Sequence, residues 1–482
     1  VNGLLGERGL DPRGVRGLLG GSWVREPEAG RTILGGSIDT RTIREGEIFF
    51  ALPGGRVDGH DFLASAARGG SALAVVEREI PPPLPEGLGV LRVERVRTAM
   101  ATLARAYRRA LPGLRVIAVT GSNGKTTTTR LVHAALTGPL RGSCPDKSHN
   151  NDLGLPLTLL GARPGDDYLV CEIGTSGPGE IAPLAAIAEP DIALITSIGR
   201  SHLERLGSVS GVAREKSDLI RALPAHGLGV ICDDAPALDL ALRGFDRCPV
   251  LRVGRRADSE VVVTGIEAFE GGVVCRVRGV RVFVPMPGAH NAINAAMAMV
   301  VGERLGVSPA SASAGIAGAQ PPAMRLERRR FGTPRGVVHL VNDAYNANPE
   351  SMTAAIGMLA RGELDPPGWA RPPGRRIGVI GEMLEMGPDS PDVHGEIAGL
   401  IAAEIEHLDG IVLIGAHAER MAATIDRARA GRVLHAELDS GTDWAGRVVP
   451  MLGGDDLVLL KGSRGMRLER LAAALGGTDA RT

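Results

Sequence analysis

The chain has 482 residues, with 55 basic and 55 acidic side chains and a formal net charge of zero. Scattered, balanced charge argues against nucleic acid as the main partner, and no run of 18 apolar residues is present to span a membrane. The length suggests about three domains at about 150 residues each.

The N-terminal stretch VNGLLGERGLDPRG carries charge too early for a signal peptide, so a cytoplasmic location is expected. Five cysteines (Cys144, Cys171, Cys232, Cys248, Cys275) show no C-x-x-C pair and read as free thiols of a reducing compartment. Of the 55 basic residues, 51 are arginine; Lys125, Lys147, Lys216 and Lys461 are the four lysines. Where arginine serves every ordinary positive charge, a retained lysine points to a compact point charge or a deprotonatable amine.

Residues 1–112 read as a small α/β domain. EIFFAL (47–52) is strand-like, a helix follows a Pro-Gly-Gly turn, and 72–76 is a second strand. PPPLPEG is a loop, and a linker is expected at Leu111-Pro112-Gly113. Residues 113–322 read as a doubly wound parallel sheet, with apolar strands at 116–119, 168–173, 192–196 and 229–232 and helices between them. Residues 250–285 alternate Val with Gly turns and predict a small antiparallel insertion. GAHNAINAAMAMVVGERLG is helical, and AGAQPPAMRLE marks the second boundary. In residues 323–482, strands at 337–341, 376–380, 410–414 and 457–460 alternate with helices, predicting a Rossmann-like C-terminal domain.

AVTGSNGKTTTTRLV, from Ala118 to Val132, lies between the first central strand and a helix. It departs from G-x-x-x-x-G-K-[ST], because Val119 stands where the first glycine belongs. The physics of an anion site is still present: Gly121, Ser122, Asn123 and Gly124 turn into a helix whose first N–H groups and dipole favour negative charge. Lys125 would reach terminal phosphates, and Thr126 would sit on Mg²⁺. Glu172 ends a strand at the ligand-binding edge and could hold Mg²⁺. Read alone, it also suits a solvated strand-end charge. His202 follows the next strand as a candidate metal ligand, with Lys216 fourteen residues on. Asp343 suits a ribose. Asn291 and Asn294 share a helix face, and Lys461 with Arg464 suits an anionic substrate.

Together these stretches resemble the Mur ligases, most closely their D-alanyl-D-alanine-adding type, over nearly the whole chain. That family's loop, T-G-[ST]-N-G-K-[ST]-T, matches residues 120–127. NNDLGLPLTLL, EIGTSGPGEI, HLERLGSVSGVAREKSDLI, DAYNANPESM, IGEMLEMG and KGSRGMRLERL are similar to its signatures, and the D-N-P-R of the diamino-acid-adding type is absent. Three departures stand out: Ser148 for a usual Asn, Thr40 for Ser in D-S-R, and Ala344 for Ser.

The resemblance implies an N-terminal domain for a UDP-linked substrate, a central P-loop-type ATPase domain and a C-terminal domain that binds the amine and closes over ATP. The implied reaction joins D-Ala-D-Ala to UDP-N-acetylmuramoyl-tripeptide through an acyl phosphate, with ATP and Mg²⁺, in a monomer. Lys125 and the loop from Gly121 to Thr127 hold phosphates; Thr126 and Glu172 bind one Mg²⁺, and His202 with a carbamylated Lys216 binds a second. Asn291 or Asn294 and Asp343 hold adenine and ribose, and Arg325 reaches a phosphate. Asp39, Thr40 and Arg41 serve the uridine nucleotide. Asn150, Asn151, Thr175, Ser176, Tyr345, Asn346, Lys461 and Arg464 serve the remaining substrate contacts. A folylpolyglutamate-type or other Mur ligase adding a different amino acid is the alternative.

Overall fold

The computed structural model describes residues 4–6, 9–269, 271–366, 374–437, 439 and 441–476. Its strands form three sheets, one per domain. The first contains β1 (Ser22–Arg25), β2 (Gly36–Ser37), β3 (Ile48–Phe50), β4 (Leu73–Val76) and β5 (Gly89–Arg92), in the order β1-β5-β4-β3-β2. β1 joins β5 antiparallel and the other pairs are parallel.

The central sheet contains β6 (Arg115–Thr120), β7 (Gly142–Ser143), β8 (Tyr168–Glu172), β9 (Ile192–Ile195), β10 (Leu228–Cys232), β11 (Val250–Gly254), β12 (Val261–Phe269), β13 (Gly272–Val277) and β14 (Val280–Val284). Its order is β14-β13-β12-β11-β10-β9-β6-β8-β7. β6, β8, β9 and β10 are apolar along almost their whole length because helices cover both faces of the sheet. The expected antiparallel insertion at 250–285 is instead the edge of this sheet. β11 and β12 continue the parallel order through Val253↔Val261, and the sheet turns antiparallel from β12 to β14. Alternating Val and Gly signalled strands but not which neighbour they would meet.

The third sheet contains β15 (Glu327–Thr333), β16 (Gly336–Asp343), β17 (Arg376–Gly381), β18 (Gly410–Ile414), β19 (Val433–Glu437) and β20 (Asp456–Lys461), in the order β15-β16-β20-β17-β18-β19. β15, ERRRFGT, carries too few apolar residues to announce itself; it is an edge strand paired antiparallel along β16.

The first two sheets share one hydrophobic cluster, which runs from Leu10, Val75 and Leu91 through Met100 and Leu103 to Val116 and Leu169. Leu111 and Leu114 are buried in it, so the expected linker is a packed turn and not a free tether. The helix Val96–Ala110 is further pinned by Arg108, whose guanidinium lies 2.7 Å from Asp191 in the central domain. The third sheet has separate clusters on its two faces. No helix of the described residues is long and apolar enough to cross a membrane.

Candidate active site

β6 pairs with β8 on one side and β9 on the other, so the loops that follow all three strands meet at one carboxyl edge. This is the switch point where open parallel sheets leave a crevice for ligands. A cavity of about 1050 Å³ opens there and continues to Arg325, Asp343, Tyr345 and Lys461 of the C-terminal domain.

The loop after β6 needs its glycines. Gly121 has φ of 152°, and a Cβ on it would lie 2.0 Å from Thr196 Oγ1. Gly124 has φ of 81° and lies against Asn294, whose Oδ1 would be 3.0 Å from a Cβ. Lys125 folds back to donate to the Gly121 carbonyl at 2.8 Å. The amides of Ser122 and Asn123 donate to Ser197 O and Ser197 Oγ, at 2.9 and 2.8 Å. The first helical bond runs from Thr128 N to Gly124 O, so the amides of Lys125, Thr126 and Thr127 stand at the open helix start. The anion-facing donors are therefore those of the helix start rather than of the whole loop.

Glu172, 1% exposed, ends β8. Its Oε2 accepts from Thr126 Oγ1 at 2.8 Å and Ser148 Oγ at 3.2 Å, and its Oε1 accepts from Asn150 Nδ2 at 2.8 Å. The expected strand-end carboxylate is thus a buried, fully hydrogen-bonded one. Ser148, the departure from the usual Asn, is its third partner. Asn150, expected among the substrate contacts, also holds this carboxylate. Asn151 caps the helix Gly154–Leu160 through Gly154 N at 2.9 Å. Thr175 and Ser176 border the cavity on a turn whose Ser176 amide donates to Glu180 at 2.8 Å.

Lys216, on the helix Val209–Arg221, is 1% exposed. Burial pushes its ammonium well below the usual lysine range, and Lys125 pushes the same way against Glu215 and Glu172. Burial also lowers Lys125, with Glu172 opposing and Arg325 adding to the shift. Lys125, Lys216 and Arg325 thus set positive charge against Glu172 and Glu215, and an anionic ligand would relieve the repulsion among the cations. Glu215, not anticipated although it precedes Lys216 directly, accepts the amides of Gly179, Glu180 and Ile181 at 2.7, 2.9 and 2.8 Å. His202 lies at the cavity edge with φ of 54°, and its Nδ1 meets Glu385 Oε2 of the C-terminal domain at 2.5 Å. The carboxylate and hydroxyls around Thr126 suit a hard divalent cation that keeps ligand phosphates in its shell.

Asn291 and Asn294 bond each other at 3.2 Å and both line the cavity. Arg325 stacks over Tyr345, its guanidinium carbon 4.3 Å from the ring centre. Asp343 Oδ2 pairs with Lys461 Nζ at 2.8 Å, and the same ammonium donates to Asn346 O at 2.9 Å. Lys461, expected to meet an anionic substrate, is in this structure the group that holds the DAYNAN turn in shape. Arg464 is exposed, paired with Glu469 at 3.1 Å and outside the cavity lining. Asp39, Thr40 and Arg41 also lie apart from the cavity lining. Asp39 binds the Arg41 guanidinium at 2.6 Å, and that hydrogen bonding holds its carboxyl down to about 2. The structure therefore brings Ser122 to Lys125, Thr127, Glu172, His202, Asn291, Asn294, Arg325 and Asp343 to one cavity; Gly121, Lys216, Arg464 and the D-T-R turn lie outside its lining, and Thr126 joins it only through its bond to Glu172.

A Mur ligase middle-domain model matches residues 119–302, a Mur ligase glutamate-ligase-domain model residues 324–464, and a Mur ligase family catalytic-domain model residues 32–108. The UDP-N-acetylmuramoyl-tripeptide–D-alanyl-D-alanine ligase of Bacillus subtilis (strain 168) is 34% identical over 94% of this chain and 95% of its own. The enzyme of that name from Escherichia coli (strain K12) is 31% identical over 91% and 92%. Among solved structures, a MurF from Acinetobacter baumannii superposes with a TM-score of 0.80 at 27% identity, covering 97% of this chain and 99% of that one. The MurF ligase of Thermotoga maritima in complex with ADP gives 0.73 at 26% identity, covering 92% and 96%. By sequence and by fold, the chain belongs to the Mur ligase family.

Proposed function

We infer that this protein is an ATP-dependent ligase that joins D-Ala-D-Ala to UDP-N-acetylmuramoyl-tripeptide, a cytoplasmic step of peptidoglycan precursor synthesis. The observation that carries the reading is the cavity itself. The phosphate loop and Glu172, which Thr126 holds from behind, form one wall, and Arg325, Asp343 and the DAYNAN turn form the other. Near-full-length likeness to relatives of that name supports the choice of substrates.

ATP would supply the phosphoryl group that turns the tripeptide carboxylate into an acyl phosphate, with ADP leaving, and Mg²⁺ when bound would offset the phosphate charge. Lys125 and the helix-start amides neutralise the phosphate oxygens where charge develops. Glu172, oriented by Thr126, Ser148 and Asn150, would hold one Mg²⁺. His202 and Lys216, as its carbamate, would hold a second. Asn291, Asn294 and Asp343 bind the nucleoside, and Arg325 faces the phosphates. The amine then attacks the activated carbonyl, with both reactants aligned inside a cavity that limits water. The chain works as a monomer in this reading.

Phosphate release from ATP tests it. Turnover is expected with UDP-muramoyl-tripeptide plus D-Ala-D-Ala, with either lysine or diaminopimelate as third residue. Faster turnover with UDP-muramoyl-dipeptide plus lysine or diaminopimelate would replace this assignment with the diamino-acid-adding one.

A further inference from the structure

His202 and Glu385 stand 183 positions apart in sequence, on different domains, with 2.5 Å between Nδ1 and Oε2. Both have positive φ, 54° and 64°, which is uncommon for residues with a side chain. Such backbone strain persists only where surroundings over-determine it, and it concentrates at functional contacts.

Each side of the contact is anchored separately. On the central domain, the loop carrying His202 is tied to the phosphate loop. Ser122 N and Asn123 N donate to Ser197, and Gly199 N donates to Ser122 Oγ at 3.0 Å. On the C-terminal domain, the loop carrying Glu385 is framed by Leu384 N donating to Ser463 Oγ at 2.9 Å and Met383 N donating to His394 Nε2 at 3.0 Å. Ser463 belongs to the KGSR stretch, so that motif shapes the loop that reaches across the boundary.

We propose that Glu385 is a positioning residue that orients the His202 ring only when the C-terminal domain is docked, so that docking readies His202 as a cation ligand. A carboxylate on Nδ1 holds that proton there and leaves Nε2 as the lone-pair nitrogen, the arrangement found behind metal-bound histidines. Glu385 supplies this second partner from another domain, so undocking of that domain would take the partner away from His202. The proposal rests on the ligase reading only through the cation site, not through the identity of either substrate.

The test uses Glu385→Ala and Glu385→Gln in the full-length enzyme. The glutamine oxygen still accepts from Nδ1–H, whereas alanine cannot. The Mg²⁺ concentration for half-maximal turnover is expected to rise about 10- to 100-fold in Glu385→Ala and much less in Glu385→Gln. Nitrogen-15 spectra of the His202 ring, assigned with His202→Gln, provide a readout independent of turnover. With a non-hydrolysable ATP analogue and Mg²⁺, wild type should show one tautomer with the proton on Nδ1, and Glu385→Ala a mixture. Equal Mg²⁺ midpoints and identical ring signals in Glu385→Ala and wild type would overturn the proposal. Equal losses in Ala and Gln would overturn it in favour of a plain interdomain ion pair. Because the ring signals need only nucleotide and cation, a failed D-Ala-D-Ala assay would sink the substrate assignment without deciding this test.

Discussion

A buried lysine that feels the charge of a second lysine is destabilised as a cation unless it gives up its proton or gains an anion. Lys216 meets that condition through burial and through Lys125, both of which favour the neutral amine. A neutral amine can add CO₂ and become a carbamate, an anionic oxygen ligand suited to Mg²⁺. Arginine cannot lose its proton in a protein and so cannot make this group. On the proposed reading, that would account for a lysine at 216 in a chain with 51 arginines. Lys216→Arg is expected to be nearly inactive while folding normally, and Lys216→Ala to regain part of its activity with millimolar formate or acetate. Turnover of Lys216→Arg within a few-fold of wild type would exclude the carbamate. At this scale, motif spacing made Lys125, Thr126 and Glu172 legible, because strand, turn and helix place them within one local unit or at a neighbouring strand end. Ser148 and Glu215 were not legible as partners, because each acts on a group brought close by folding.

The helix Ile181–Ala188 begins without a side-chain cap of its own. Glu215, reaching from the helix Val209–Arg221, accepts its first amide, Ile181 N, and the two amides before it, and thereby joins the turn of Thr175 and Ser176 to the helix of Lys216. Glu215→Ala leaves the buried Ile181 amide without an acceptor and should cost about 1 to 3 kcal/mol; thermal unfolding of the variant measures it. A similar lock governs the loop of Glu385. Met383 N donates to His394 Nε2 and His394 Nδ1–H donates to Ser390 O at 2.7 Å, so the ring is neutral in the fold. Burial is the main cause that lowers its pKa below the ordinary 6.5, followed by the opposing hydrogen bond to Ser390 and the charge of His417. The unfolded chain therefore binds the proton more readily. This contribution to stability is complete above about pH 6.5 and is lost as pH falls toward the lowered folded value. Relative to His394→Gln, wild type should lose stability as pH falls below about 6.5 in denaturant titrations; parallel curves would remove His394 from this role.

Across the whole molecule, the first two domains share a core and the third does not. Ligand-driven motion is therefore expected at the second boundary, where the C-terminal domain docks through polar contacts. Arg200 lies 3.2 Å from Glu350 and 2.7 Å from Glu396, both on the C-terminal domain. Partly exposed pairs of this kind contribute about 0.2 to 1 kcal/mol each and weaken with salt. Arg200→Ala should raise the nucleotide KM a few-fold, more at low salt, and reduce the compaction seen by small-angle scattering with an ATP analogue and Mg²⁺. Unchanged scattering and KM would show that closure does not depend on this clamp.

The sequence by itself determined the class of each domain and the phosphate loop. Continuous apolar strands, Gly turns and a Lys-Thr helix start are local consequences of backbone sterics and burial. Tertiary structure alone decided that residues 250–285 extend the central sheet, that Leu111 and Leu114 lie in a shared core, and that Glu385 meets His202. Those outcomes depend on partners from 8 to 183 positions away. A strand pattern shows which face of a residue needs burial or pairing, but only packing selects the neighbour that provides it.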